Sequence, residues 1–87
     1  MNASRRPILH WLTTRLASYL EVPPHAIETM VPLAEMGVDS VYAVSLVGEI
    51  ETRFDIDVDP TMIFDYPTLA HIAEFIDTAV AEQAAVA

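Results

Sequence analysis

Apolar residues recur at helical spacing in three separate segments, and this pattern constrains the fold more than any other feature of the chain. The segments run from about residue 7 to 20, from about 40 to 54 and from about 68 to 80. Within each segment, apolar side chains lie three or four positions apart, which places them on one face of an α-helix. The pattern predicts an all-α fold in which three main helices pack their apolar faces together.

The same spacing assigns a core face to each helix. Trp11 falls off the apolar stripe of the first helix, so we expect its side chain to be partly exposed. Apolar residues on the core faces supply most of the stability of a small domain. The predicted core residues are Ile8, Leu12, Leu16 and Tyr19, with Leu9 and Leu20 at the edge, in the first helix; Ala43, Leu46, Val47, Ile50 and Phe54 in the second; and Leu69, Ile72, Ala73, Ile76 and Val80 in the third.

Residues that break helices separate the first two segments. Pro23 and Pro24 end the first helix, and Gly37 permits a tight turn just before the second. The connection over residues 21–39 is long for a small domain, so it needs apolar anchors that pack under the bundle. The candidate anchors are Val22, Ile27, Val31 and Leu33.

The segment between the second and third helices contains a further short element. Ile56 and Val58 alternate with aspartates, so both apolar side chains can point inward while the acids face water. Asp59 and Pro60 are suited to the start of a short helix over residues 61–64. The expected architecture is therefore a small four-helix bundle with three main helices and one short helix.

Size and charge limit the classes of function. The 87 residues make a single domain, residues 1–87, whose core we expect over about residues 8–80. Thirteen acidic residues stand against four arginines and no lysine, a formal net charge of −9. Such a surface repels nucleic acid and anionic membranes and attracts basic partners. The chain has no cysteine and no apolar run long enough to span a bilayer, which fits a cytoplasmic protein, and we also expect a monomer.

Metal binding, catalysis and DNA recognition all fit the sequence poorly. The aspartates of residues 55–59 have the spacing that opens a calcium loop, but Pro60 stands where that loop needs a glycine. The three histidines lie on separate elements without metal-ligand spacing, and no histidine lies near Ser40 to act as a base. The second helix is acidic, which excludes a helix that enters a DNA groove. We therefore predict neither a metal site nor a catalytic residue.

Ser40 opens the second helix without an evident structural task. Asp39 is suited to cap the helix, which leaves the Ser40 hydroxyl for another use. A phosphate diester at that position would meet the positive end of the helix dipole and unpaired backbone N–H groups. Val41 is an apolar residue on the solvent face beside Ser40, and Gly48 lies on the same face. Serine is also common at helix starts, so spacing alone leaves a purely structural role open.

The motifs around Ser40 are similar to those of a known family. The run over residues 37–76 opens with the G-x-D-S motif Gly37-Val38-Asp39-Ser40 and later contains the segment FDYPT, residues 64–68. With the apolar pattern between these motifs, about residues 8–80 resemble the acyl carrier protein family, in particular the carrier domains of polyketide synthases. The resemblance implies the helical-bundle fold of that family.

The resemblance also implies a function. Ser40 corresponds to the serine that receives 4′-phosphopantetheine from coenzyme A, in a reaction carried out by a phosphopantetheinyl transferase with magnesium, and Asp39 corresponds to the acid of the motif. The thiol of the arm would hold growing polyketide-type acyl groups as thioesters and deliver them to a ketosynthase, an acyltransferase and tailoring enzymes with basic docking surfaces. The carrier itself makes no bonds. The implied partner-docking residues are Val41, Ser45, Gly48, Glu49 and Thr52.

Three positions differ from the pattern of the family or its branches. Val41 stands where most members have leucine, and Gly48 stands where many have a larger apolar residue, which bears on partner choice. Val38 stands where peptidyl carriers tend to have a second glycine, which favours acyl cargo. The alternatives are a peptidyl or aminoacyl carrier of a nonribosomal peptide synthetase-type system, and an unmodified acidic helical adaptor.

Overall fold

A computed structural model describes residues 5–86, and every regular element within that range is helical. The predicted all-α architecture of three main helices and one short helix is therefore confirmed. Two short 3₁₀ turns, Pro24–Ala26 and Leu33–Met36, interrupt the long connection. The helices are α1, Arg5–Leu20; α2, Ser40–Phe54; α3, Met62–Asp65; and α4, Leu69–Val86.

The core lies between the apolar faces of α1, α2 and α4, and α1 packs directly against α4. Trp11 is partly buried at its edge, as predicted, and its ring meets that of Phe54 edge-on with centroids 5.3 Å apart. The turn that follows Pro32 and the short helix α3 close the remaining sides. The largest fully buried side chains are Leu12, Leu16, Leu33, Leu46, Ile50, Leu69, Ile72 and Ile76.

Two residues predicted for the core are instead exposed. Tyr19 is 43% exposed, because its ring lies on the outside of the bundle, stacked on Tyr42 with centroids 3.8 Å apart. Val80 is 36% exposed because it lies one helical turn beyond Asp77, which already pairs with Arg5 in the first turn of α1.

The core face of α2 also differs at its edges from the prediction. Leu46, Val47 and Ile50 are buried as expected, whereas Ala43 and Phe54 are only partly buried. Tyr42, which the sequence reasoning left out, is buried at 7% exposure. Positions 42, 46 and 50 are spaced four residues apart, so they form one stripe along the helix. This buried stripe is rotated slightly toward α1 relative to the predicted core face.

The long connection is fixed by apolar anchors and by backbone hydrogen bonds. Ile27 and Leu33 are buried as predicted and Val31 is half-buried, but Val22 is exposed, so that anchor was wrong. The Leu33 N–H donates to the Pro67 carbonyl over 2.9 Å, and the Ala70 N–H donates to the Thr29 carbonyl over 3.0 Å. These bonds hold the connection against the start of α4 and thereby fix the approach to α2.

Gly37 ends the second 3₁₀ turn with a φ of 87°, in the left-handed region that favours glycine. The predicted tight turn is therefore present. Its N–H donates to the Ala34 carbonyl over 3.4 Å, and the Val38 N–H donates to the Leu33 carbonyl over 3.2 Å. The turn directs the chain into the start of α2.

The loop after α2 follows the predicted alternation, with Ile56 and Val58 buried. The Val58 N–H donates to Glu51 Oε2 over 2.9 Å, which ties the loop to the last turns of α2. Asp59 Oδ1 accepts from both the backbone N–H and the hydroxyl of Thr61, each over 2.8 Å. These two bonds lower the pKa of the Asp59 carboxyl, and they set up the start of α3 one residue later than predicted.

Candidate functional site

The start of α2 is built by Asp39. Its backbone is extended, with φ −92° and ψ 173°, and its Oδ1 accepts from the Tyr42 N–H over 2.8 Å. The Asp39 carbonyl accepts from the Ala43 N–H over 3.0 Å and so begins the helical hydrogen bonds. Asp39 is therefore the N-cap of α2, and the cap leaves the side chain of the next residue unengaged.

That next residue, Ser40, is exposed and occupies the first position of α2. Within residues 5–86 its hydroxyl makes no side-chain hydrogen bond. It lies at the positive end of the helix dipole, where first-turn N–H groups lack helical partners. An anionic group attached to this oxygen would be favoured by the dipole and opposed by the Asp39 carboxylate. The position suits an attached phosphodiester that an external enzyme can reach.

A small apolar cleft of about 220 Å³ adjoins Ser40. Its walls come from the connection before α2, at Pro32, Leu33 and Val38, and from Ile63 on α3. Substrate pockets of enzymes usually measure about 300–1,000 Å³ and hold several convergent polar groups. Ser40 lies on the rim of this cleft rather than at the bottom of a substrate pocket.

The solvent face of α2 runs away from Ser40. Val41, at 78% exposure, and Ser45, Gly48 and Thr52 are all exposed, so the structure brings these predicted docking residues onto one surface. A Cβ built on Gly48 would meet no atom within 4 Å, so packing within the described chain does not require the glycine. Two features of this face were not predicted.

One unpredicted feature is Val44, which is 58% exposed and adds a second apolar side chain next to Val41. The other is the state of Glu49, which is only partly exposed and forms an ion pair with Arg15 of α1, Nη2 to Oε1, at 2.6 Å. Spacing along α2 correctly places Glu49 beside Ser45 and Thr52. It carries no information about a partner 34 positions earlier in the chain.

A groove of about 370 Å³ runs between α1 and α2 beside this ion pair. Tyr19 and Tyr42 stack along it with their ring planes 15° apart. The Tyr42 hydroxyl is buried and has no hydrogen-bond partner among the described residues. Burial raises the pKa of this hydroxyl to about 12, and the negative charge of Glu49 adds to the shift. The groove therefore has both charged and unsatisfied polar groups next to the start of α2.

Within the described range, the remaining polar residues are not grouped into a metal site. All three histidines are exposed, and His71 Nδ1 lies 2.8 Å from the Thr68 hydroxyl, whose oxygen accepts from the His71 N–H over 3.1 Å. Thr68 thereby serves the first turn of α4. Among residues 5–86 there is no group of three or more side chains arranged to hold a metal ion, and no helix is long and apolar enough to cross a bilayer.

Residues 10–76 match the family model described as phosphopantetheine attachment site. The match covers more than half of the chain and includes most of α1, the long connection, α2, α3 and the first part of α4. The chain therefore belongs to this family of carrier domains. Its cofactor is 4′-phosphopantetheine, and the domain is a carrier rather than an enzyme, as predicted.

Curated relatives of the chain include large synthases. It is 32% identical over 66 residues to polyketide synthase PksL of Bacillus subtilis, an alignment that covers 76% of this chain and 2% of the synthase. It is 37% identical over 65 residues to a 6-methylsalicylic acid synthase of Arthrobotrys oligospora, covering 75% of this chain and 3% of the synthase. The chain thus spans only a small fraction of the length of these relatives.

Solved structures with the same fold are close to this chain in size. A free-standing peptidyl carrier protein from Acinetobacter baumannii superposes with a TM-score of 0.82 at 27% identity, covering 88% of this chain and 96% of that one. An acyl carrier protein from Anabaena superposes with a TM-score of 0.79 at 30% identity, covering 87% and 86%. Both comparisons confirm the predicted carrier-protein fold.

Proposed function

We propose that Ser40 is the attachment point of the phosphopantetheine arm and that the chain carries polyketide-type acyl groups on it. The observation that carries the proposal is the exposed, unengaged Ser40 hydroxyl at the capped start of α2, inside the family match. The hydroxyl oxygen would attack the coenzyme A phosphate that bears the pantetheine arm, forming a phosphodiester and releasing adenosine 3′,5′-bisphosphate. A phosphopantetheinyl transferase would supply the base and the magnesium ion.

Asp39, the start of α2 and the attached arm each contribute something different to this proposed function. Asp39 fixes the first turn of α2, so that the Ser40 oxygen is held at a rigid helix end and not on a mobile loop. The positive end of α2 stabilises the charge of the phosphodiester, by roughly 0.3–1 kcal/mol at an exposed site. When bound, the arm supplies a thiol that holds the acyl group as a thioester.

The polyketide assignment depends on the relatives and on one residue. PksL is a polyketide synthase by name, and the Val38 position favours acyl over peptidyl cargo. The second candidate, a peptidyl or aminoacyl carrier, is supported by the peptidyl carrier among the similar structures. The third candidate, an unmodified acidic adaptor, is inconsistent with the family match.

The solvent face of α2 is the proposed docking surface for the transferase, a ketosynthase, an acyltransferase and tailoring enzymes. Val41 and Val44 supply an apolar contact next to the arm, and Gly48 allows a partner to approach the helix backbone closely. Ser45, Glu49 and Thr52 complete this surface. The net charge of −9 favours partners with basic surfaces and fast, salt-sensitive encounters. We further propose a monomeric, cytoplasmic carrier.

Intact mass spectrometry tests the modification. The protein is incubated with a broad-specificity transferase, coenzyme A and magnesium, and the expected product is one phosphopantetheine adduct per chain. Ser40→Ala should abolish the adduct, while Thr78→Ala, which removes an exposed hydroxyl on α4 away from the docking surface, should keep it. Wild-type protein that stays unmodified with several transferases would contradict the proposal.

Loading of the modified protein distinguishes the two carrier types. With the modified protein as acceptor, an acyltransferase is supplied with malonyl-type coenzyme A thioesters, and an adenylating enzyme is supplied with free amino acids and ATP. The proposal predicts stable thioesters from the malonyl-type donors and little aminoacyl loading. The reverse preference would favour the peptidyl carrier.

A further inference from the structure

A further groove, between α1 and the long connection, differs in charge from the clefts near Ser40. It measures about 380 Å³, and Arg6 and His10 of α1 line it together with His25 of the first 3₁₀ turn. The apolar cleft beside Ser40 and the groove between α1 and α2 each have a carboxylate in their walls, whereas the described lining of this groove has none. In a strongly acidic domain, this groove, named here the Arg6 groove, is a local basic surface.

Arg6 differs from the other three arginines in having no partner within residues 5–86. Arg5 and Arg15 form ion pairs with acids of α4 and α2, and the Arg53 guanidinium lies over an aromatic ring. Arg6 is exposed, and across the described residues it forms neither an ion pair nor a side-chain hydrogen bond. The chain has thirteen acids, yet the charge of this arginine remains available to an acid from outside.

The rest of the Arg6 groove offers apolar surface. Leu9 and Pro24 contribute hydrocarbon, and the partly buried Thr13 and Thr29 complete the lining. The Thr13 hydroxyl donates to the Leu9 carbonyl over 2.7 Å, so its hydrogen is already used within α1. Met30, directly after Thr29 in the chain, is 66% exposed and adds apolar surface next to the groove. A matching ligand therefore has both an apolar side chain and a negative charge.

We propose that the Arg6 groove binds a short acidic segment of a partner protein. An apolar side chain of the segment lies against Leu9 and Pro24, and a carboxylate pairs with the Arg6 guanidinium. The rings of His10 and His25 each have an N–H that donates to a second carboxylate or to a backbone carbonyl of the segment. Because all of these contacts are near the surface, the binding is weak and reversible.

The charge of the whole domain determines which kind of acidic partner fits. A nucleic acid or an anionic membrane is an extended polyanion, so it would meet the acidic body of the domain, with its net charge of −9, as well as the groove. A short segment responds mainly to charges within about 8 Å at physiological ionic strength. Glu28, the acid next to the groove along the chain, is exposed and does not line it. A protein segment is therefore favoured over the two polyanions.

The proposal gives the domain two binding surfaces of opposite charge. No described lining residue of the Arg6 groove belongs to α2, so a segment bound there leaves Ser40, Val41 and Val44 uncovered. Combined with the proposed carrier function, this arrangement lets the domain remain bound to an acidic segment through α1. The docking surface of α2 stays free for basic enzymes at the same time.

Peptide titration followed by ¹H–¹⁵N NMR tests the Arg6 groove with unmodified protein at low salt. The probe is the peptide acetyl-Gly-Glu-Leu-Asp-Gly amide. One control peptide replaces its acids with glutamine and asparagine, and another replaces its leucine with serine. The acidic peptide should shift the amide signals of His10, Thr13, His25 and Thr29 and leave that of Val44 unchanged. Both control peptides should bind more weakly, because one lacks the ion pair and the other lacks the apolar contact.

Charge variants then identify the arginine. Arg6→Gln should weaken binding of the acidic peptide about two- to fivefold, the range expected for loss of one exposed ion pair. Arg6→Glu should weaken it further, because attraction becomes repulsion. Arg53→Gln is the matched control, since it removes the same charge from an exposed position on α2, and it should change binding little. Circular dichroism verifies that each variant keeps the helical fold.

Four results would overturn the inference. The acidic and neutral peptides could shift the same signals equally, Arg6→Gln could have no greater effect than Arg53→Gln, or the shifts could fall mainly on α2. The fourth is that a short DNA duplex or phosphatidylglycerol vesicles bind through the same residues in preference to the peptide. The titration needs no attached arm, so it remains valid if Ser40 is not modified, and a negative titration leaves the Ser40 mass measurement unaffected.

Discussion

The buried polar group of α4 has a partner within the described chain, whereas that of α2 has none. The carboxylate of Asp77 on α4 is nearly covered, and Arg5 of α1 lies 3.5 Å from it. On α2 the buried Tyr42 hydroxyl has no partner in the described part of the chain, and Val41 and Val44 face water. The α1–α4 side is thus satisfied within the fold. The α2 side leaves the apolar side chains of Val41 and Val44 available next to Ser40, which supports α2 as the side where partners bind.

The largest expected contrast lies within α2 itself. Ile50→Ala removes a fully buried side chain and should lower the free energy of unfolding by about 2–5 kcal/mol. Val44→Ala truncates an apolar residue that is 58% exposed, so it should change the free energy of unfolding by less than about 0.5 kcal/mol. Urea unfolding followed by circular dichroism measures both. Equal losses for the two variants would contradict the division of α2 into a core face and a docking face.

A second comparison concerns the buried acid of α4. Arg5→Gln takes a charged partner from Asp77 and should cost about 1–2 kcal/mol of unfolding free energy. Arg6→Gln, a neighbouring exposed position, is the matched control and should be nearly neutral. Thermal melts at fixed pH compare the two. A neutral Arg5→Gln variant would show that the Asp77 pairing contributes little to the α1–α4 contact.

The unpartnered hydroxyl of α2 should make stability sensitive to alkaline pH. The pKa of Tyr42 is raised from 10.0 to about 12 by burial, so folding favours its neutral form. That contribution is complete below pH 10 and is lost as the pH rises to about 12, to an extent of the order of 1 kcal/mol. The chain has no lysine, so few other side chains titrate in this window. Melts from pH 9 to 12 measure the loss.

The matched variant is Tyr42→Phe, which removes the unsatisfied oxygen and keeps the ring. This variant should lose less stability than wild type at alkaline pH, and its free energy of unfolding at neutral pH should be higher by up to about 1 kcal/mol. If the variant is instead clearly less stable than wild type at neutral pH, the hydroxyl has a partner in solution and the contrast between α2 and α4 fails.

The smallest effect on stability is expected at Val41. This side chain is 78% exposed, so Val41→Asp should change the free energy of unfolding by less than about 0.5 kcal/mol. Acyl transfer from the carrier to a ketosynthase should nevertheless fall, because the charge lies on the apolar contact next to the arm. Transfer rates are compared with those of Glu28→Gln, a change remote from α2. A large loss of stability would show that Val41 packs inside the fold.

The sequence predicted the parts of the fold that depend on local chemistry. Apolar spacing correctly predicted the buried positions Leu46 and Ile50, and the residue type at Asp39 correctly indicated the start of α2. Spacing is less informative at the edges of a helix face, where an amphipathic ring such as that of Tyr42 or Tyr19 can point either toward the core or toward solvent. Its burial then depends on which neighbouring helix covers it.

The candidate site was predicted to a similar extent. Motif and spacing singled out Ser40 and placed Val41 and Ser45 on a common exposed face. The ion pair of Arg15 and Glu49 was not predictable, because it joins two helices that are distant in the sequence. It depends on how α1 and α2 pack, and that packing determines which acids of the docking face are available to a partner.

Mapping the modified residue tests the central claim most directly. After reaction with coenzyme A and the transferase, cleavage after glutamate releases the peptide of residues 36–49, which contains two serines, Ser40 and Ser45. Fragmentation by tandem mass spectrometry should place the whole phosphopantetheine mass on Ser40. An arm found on Ser45, or on any other peptide, would contradict the account.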